Sequence, residues 1–203
     1  MNRIVSVWRI LFMLKLFRDG KIWTIPNALS FFRLLLVPFI IWAYIGLSNT
    51  KLTIILLAVS ALTDVLDGQI ARRFHMTSDL GKALDPLADK LTQVSIVFCL
   101  ATAYPLLWIL LVVCVVREPC IGYLGYLTIQ KTNQVPGARW YGKVSTVVLY
   151  ATTLTLLAFP NIAQWLSSAL IVLSIVCVVS ALFLYTRYFL HAWKHFDAQR
   201  PAN

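Results

Sequence analysis

Residues 64–89 read D-V-L-D-G-Q-I-A-R-R-F-H-M-T-S-D-L-G-K-A-L-D-P-L-A-D, from Asp64 to Asp89, and hold five of the eight acidic residues of the chain. Asp64, Asp67 and Ala71 are spaced i, i+3, i+7, and Gly81, Asp85 and Asp89 are spaced i, i+4, i+8, so each trio lies along one stripe of a helix. The connection between them is short, which predicts antiparallel neighbours whose stripes face each other. Carboxylates are costly in or beside a bilayer, so four of them brought together need cations or substrate groups as partners.

The surrounding sequence is that of an integral membrane protein. Of 203 residues 60% are hydrophobic, and the mean hydropathy is +0.77. Apolar stretches long enough to cross a hydrocarbon core, about 20 residues of helix, occur at 28–47, 52–70, 84–103, 105–127, 141–159 and 165–190. The expected fold is therefore all-α, with six transmembrane helices in one domain over 25–193. Residues 1–24 are expected to form an N-terminal interfacial amphipathic helix on the strength of Trp8, Phe12 and Phe17, and 194–203 a C-terminal tail. Cys99, Cys114, Cys120 and Cys177 stand singly, without metal-ligand spacing, and read as small hydrophobes.

A formal charge of +10 raises the question of nucleic acid, but the basic residues sit at span ends rather than along a soluble face. No nucleic-acid partner is expected. Nearly every Lys and Arg falls on the side holding both termini and the 71–83 and 128–140 loops, while the opposite loops carry Lys51 alone. By the positive-inside rule the termini and the acidic cluster are cytoplasmic. A carrier would place its acids near mid-bilayer on several helices; these gather at one membrane face, which suits a charged substrate from the cytosol and an apolar one from the leaflet. An ion-coupled membrane carrier remains the competing class.

Oxygen donors without clustered Cys or His point to Mg²⁺, with Mn²⁺ as the alternative, and four carboxylates have capacity for two ions per site. Gly68 and Gly81 clear space for a ligand, Ala71 is small, and Arg72 offers a planar cation to a diphosphate. Pro86 fits either the first turn of a helix capped by Asp85 or a kink in a helix begun near Gly81. His75, in the connecting loop, is expected to be solvated.

Asp64, Asp67, Gly68, Ala71, Arg72, Gly81, Asp85 and Asp89 spell D-x2-D-G-x2-A-R-x8-G-x3-D-x3-D, and this pattern resembles the signature of the CDP-alcohol phosphatidyltransferase family. The resemblance implies transfer of a phosphatidyl group from CDP-diacylglycerol to an alcohol, with release of CMP. It implies Asp64, Asp67 and Asp85 as metal ligands, and Asp89 as a further ligand or as the catalytic base. Asp67, Gly68, Ala71, Arg72 and Gly81 would form the CDP site. Within the family, I-P-N-A-L-S-F-F-R-L-L-L-V-P at 25–38, L-D-P-L-A-D-K at 84–90, Arg117-Glu118 and G-K-V-S-T at 142–146 look like the phosphatidylglycerophosphate synthases and the related cardiolipin synthases. Glycerol-3-phosphate is thus the expected acceptor and phosphatidylglycerol the alternative. One departure is Ser145, where the glycerophosphate enzymes commonly carry a lysine. Arg33, Arg117, Arg139, Lys143 and Arg187 remain as cations for an acceptor phosphate. The resemblance further implies a homodimer, and a bacterial plasma membrane is the expected setting.

Overall fold

In a computed structural model of the chain, the described residues are 24–73, 79–132 and 139–198, and they form six helices. Helix α1 is Ile25–Ile41 and continues as one π-helical segment, Trp42–Gly46. The others are α2 Thr50–Arg73, α3 Asp79–Ala101, α4 Leu107–Thr132, α5 Trp140–Ala158 and α6 Gln164–Ala198. The predicted interfacial helix and His75 lie outside the described residues, as does the tail beyond Ala198. Helix α6 itself runs into the region expected to be tail.

Among the described residues, four helical segments are long and apolar enough to cross a membrane: Ile25–Gly46, Thr50–Ile70, Leu107–Gln130 and Gln164–Lys194. They coincide with the first, second, fourth and sixth stretches read from sequence. The third and fifth stretches are helical but more polar. Helix α3 spends much of its length on Asp79, Lys82, Asp85, Asp89 and Lys90, and α5 opens with Lys143, Ser145 and Thr146. Among the described residues the fold is thus all-helical with four candidate spans. Large apolar side chains are exposed along them, including Leu35, Trp42, Val112 and Val176, as expected when the solvent is lipid.

The chain divides into two compact units, residues 1–96 and 97–203, with the boundary inside α3. In the first unit α1 and α2 pack against each other. Thr24 caps α1, its Oγ1 accepting from the Asn27 amide at 3.4 Å. The turn into α2 places Ser48 at φ 49°, and Asn49 Oδ1 accepts from the Leu52 amide at 3.0 Å, which satisfies one of the donors left open at a helix start. The buried side of α1 carries Asn27, Ser30 and Arg33 before Leu36 and Ile40. Pro86 lies inside α3, which starts at Asp79; of the two sequence readings, the interior proline holds, and Asp85 is not a cap.

In the second unit α6 packs against both α4 and α5. Short polar side chains tie these helices together where no water competes. Ser174 donates to Thr152 Oγ1 at 2.8 Å, and Trp193 Nε1 donates to Thr128 Oγ1 at 2.9 Å. Gly142 lies against Tyr185, whose hydroxyl would stand 2.4 Å from a Cβ added there. Of the cysteines, Cys99 and Cys114 are buried as read from sequence, whereas Cys120 is exposed.

Candidate functional site

The two acidic stripes converge, and the point of convergence is a side chain from a third helix. Arg33, on α1, is 1% exposed, and its guanidinium is ringed by carboxylates from α2 and α3. Nη1 donates to Asp64 and, at 2.5 Å, to Asp89. Nη2 donates to Asp67 at 2.8 Å and lies 3.6 Å from an oxygen of Asp85. Each nitrogen therefore joins one carboxylate of α2 to one of α3. The fork of a guanidinium suits this double bridging in a way that a lysine ammonium does not.

Ser30, one turn before Arg33, extends the cluster. Its hydroxyl is placed to donate to Asp85, and also to the carbonyl of Pro26 at 3.0 Å. With one proton it serves one of these at a time. The carboxylates differ in access: the side chain of Asp67 is 4% exposed, those of Asp64, Asp85 and Asp89 between 42% and 46%. Asp67 forms the floor of the cluster, and the other three are open to a ligand from one side.

Electrostatically, one guanidinium offsets one of four carboxylate charges. The donors are all oxygen and carry surplus negative charge, a set that fits a hard divalent cation. As they stand, no three Asp, Glu, His or Cys side chains among the described residues form a ready ligand group, because the carboxylates are spread around Arg33. Gly68 follows Asp67, and a Cβ built on it would meet nothing within 4 Å. Its missing side chain therefore leaves open space beside the acids rather than relieving a helix contact. Gly81 is buried near the start of α3. Ala71 and Arg72 lie on the last turns of α2, their side chains outside the described set.

The remaining acceptor candidates belong to the second unit. Arg117 is 5% exposed; its Nη2 donates to Ser145 Oγ at 3.0 Å, and Nη1 lies 3.4 Å from Glu118. Its Nε is buried without a partner among the described residues. Ser145 thus serves as acceptor for a buried arginine. Arg139 is exposed and stacks on Tyr188, its guanidinium carbon 4.1 Å from the ring centre. Lys143 and Arg187 are exposed, with Arg187 lying 5.9 Å over the ring of Phe183.

Arg33, expected among the acceptor cations, lies at the carboxylates. The signal for this was in the sequence: Asn27, Ser30 and Arg33 stand at i, i+3, i+6 in an apolar span, which places three polar groups on one stripe facing the protein interior. Ser30 carries no such signal by itself, because a lone serine in a membrane helix ordinarily bonds its own backbone.

Comparison with known proteins identifies the family. The family model for CDP-alcohol phosphatidyltransferase matches residues 23–180. The chain is 33% identical over 158 residues to a cardiolipin synthase (CMP-forming) of Streptomyces coelicolor, covering 74% of this chain and 72% of that protein. It is 33% identical over 170 residues to the CDP-diacylglycerol–glycerol-3-phosphate 3-phosphatidyltransferase of Escherichia coli K12, covering 81% of this chain and 92% of that one. A protein of the same name from Pseudomonas fluorescens is 28% identical over 186 residues, covering 84% and 91%. Members of the family generally use divalent metal ions. With the eight motif positions present, their four carboxylates gathered at one point and the family model spanning most of the sequence, the chain belongs to the CDP-alcohol phosphatidyltransferase family.

Proposed function

We propose that the protein transfers the phosphatidyl group of CDP-diacylglycerol to glycerol-3-phosphate, giving phosphatidylglycerol phosphate and CMP. The observation that carries the reaction class is the convergence of Asp64, Asp67, Asp85 and Asp89 beside the open space at Gly68. The acceptor assignment is supported by likeness, over 92% of its length, to the Escherichia coli protein whose name specifies that reaction.

Asp64, Asp67 and Asp85 would hold divalent cations, two per site and most simply Mg²⁺, with Mn²⁺ as the alternative. Bound there, such ions would supply positive charge to offset the diphosphate and departing CMP. Asp67, buried, is a ligand rather than the base. Asp89, nearly half exposed, is a further ligand or takes the proton of the acceptor hydroxyl as its oxygen attacks the phosphorus that bears the diacylglycerol. A new phosphorus–oxygen bond forms, the bond to the CMP oxygen breaks, and the proton rests on the carboxylate. Gly68, Ala71, Arg72 and Gly81 line the CDP site together with Asp67, and Arg117, Arg139, Lys143 and Arg187 are the cations for the acceptor phosphate.

The setting proposed is a bacterial plasma membrane crossed six times, with α3 and α5 completing the four apolar spans, and with both termini and the acids cytoplasmic. A homodimer is included, with the exposed Ala151, Ala169 and Ser180 as candidate contacts. Family membership favours this enzyme over an ion-coupled carrier. A second reading, cardiolipin synthesis with phosphatidylglycerol as acceptor, is favoured by likeness to the Streptomyces coelicolor protein and by Ser145 in place of a lysine. Purified protein given CDP-diacylglycerol with each acceptor separates the two. CMP release with glycerol-3-phosphate is expected; release with phosphatidylglycerol alone selects the second reading.

A further inference from the structure

Four carboxylates do not gather in a membrane helix bundle without a cation among them, and in this protein the chain supplies one of its own. Arg33 is buried to the degree of the apolar core, 1% exposed, and its two terminal nitrogens bridge α2 to α3 at Asp64–Asp89 and at Asp67–Asp85. Its Nε has no partner among the described residues. The side chain is therefore held at its charged end by the same oxygens that would ligate a metal, and nothing described ties it further back. The arrangement explains why these carboxylates, although of suitable chemistry, form no ready ligand group among the described residues.

A guanidinium and a divalent ion compete for the carboxylate oxygens that Arg33 now engages, one on each of the four residues. A carboxylate oxygen ligating Mg²⁺ lies about 2.1 Å from the ion, which would bring the ion against the nitrogen the same oxygen now accepts from, cation against cation. The charges point the same way. Two divalent ions balance four carboxylates without help, whereas Arg33 balances one of them. We propose that Arg33 is a built-in counter-ion: it holds the four carboxylates together while the metal is absent and is displaced from them when the metal binds. The inference rests on the metal-dependent reading above and adds an exchange of cations to it. Arg33 acts here as a positioning residue for the ligands.

The exchange can be read on the wild-type protein. In EDTA, Arg33 should resist phenylglyoxal, as measured by peptide mass spectrometry of the full chain in detergent. With Mn²⁺ bound, counted by its electron paramagnetic resonance signal, Arg33 should become modified. Protection that is unchanged while Mn²⁺ is demonstrably bound overturns the exchange and leaves the metal reading intact. Failure of Mn²⁺ to bind overturns both.

Arg33→Gln supplies a second readout. Freed of its competitor, the variant should bind Mn²⁺ roughly tenfold more tightly, within the range typical of coupled equilibria, and should melt lower than wild type in EDTA while recovering more on metal addition. Loss of a neighbouring positive charge would also tighten binding, so the wild-type protection result decides. Equal or weaker Mn²⁺ binding by the variant contradicts the competition.

Discussion

Asp67→Asn probes the floor of the site with the least change in shape. Asp67 is buried, and its Oδ2 accepts from Arg33 Nη2 at 2.8 Å. A hydrogen bond to a charged group contributes about 1.5–3 kcal/mol, and charge on both partners makes it roughly twice as strong as a neutral one. Asparagine keeps an acceptor oxygen for the same nitrogen, so about half of that contribution, on the order of 1 kcal/mol, is lost. Removing one of four like charges offsets part of the loss. The melting temperature in EDTA should therefore move by no more than about 2–4 °C, the shift that about 1 kcal/mol gives in a chain of this size.

Turnover should respond on a different scale. Asp67 would act on the reacting phosphoryl group through the cation it ligates, and loss of one preorganised electrostatic stabiliser costs roughly 10²–10³-fold in rate, so CMP release should fall by about that factor. The added stability that Mg²⁺ gives the wild type, about 2.7 kcal/mol at a hundredfold excess over its dissociation constant, should largely vanish in the variant. The assays are CMP release from CDP-diacylglycerol and thermal unfolding with and without Mg²⁺. Wild-type turnover in Asp67→Asn removes Asp67 from the chemistry. Collapse of the variant in EDTA shows a structural carboxylate and refutes the reasoning.

Three further substitutions test other parts of the account. Gly68→Ala adds a methyl where it meets nothing within 4 Å and exchanges a poor helix former for a good one, worth about 1 kcal/mol; the protein should melt higher yet bind CDP more weakly, and unchanged CDP affinity would remove Gly68 from the pocket. Gly142→Ala sets a methyl 2.4 Å from the Tyr185 hydroxyl, and should lower stability by about 1–3 kcal/mol through overpacking, read as a lower melting temperature. Ser145→Ala leaves buried Arg117 without the acceptor at 3.0 Å and should cost about 1.5–3 kcal/mol; a variant of wild-type stability would show that Arg117 finds another acceptor.

The spacing of charge made much of this architecture readable. The stripes at Asp64/Asp67 and Asp85/Asp89 predict two facing helices, and their carboxylates do meet. The four most apolar stretches coincide with the four candidate spans, because their outward faces are mostly apolar, with exposed polar residues such as Lys51, Gln130 and Lys194 toward the ends. Stretches 84–103 and 141–159 were harder: α3 carries the acids and α5 carries Lys143 and a run of hydroxyl residues, so composition no longer separates a membrane helix from a helix buried among others.

The part that sequence spacing hid is the contribution of α1. Arg33 is 31 residues from Asp64, a separation that local periodicity cannot span, and a basic residue near a span end is ordinarily explained by membrane orientation. Ser30 and Arg33 acquire their meaning from the tertiary packing of α1 on α2. Similarly, the bond between Ser145 and Arg117 joins two helices whose pairing no motif records. The Pro86 ambiguity was local, and the start of α3 at Asp79 resolved it.

The most direct measurement is CMP release by the purified full-length chain, supplied with CDP-diacylglycerol, glycerol-3-phosphate and Mg²⁺. The account predicts CMP and phosphatidylglycerol phosphate in equal amounts, loss of both in EDTA, and loss of both in Asp67→Asn. Absence of CMP from the intact, metal-supplied protein with every acceptor offered, or turnover that persists at the same rate in EDTA, would contradict it.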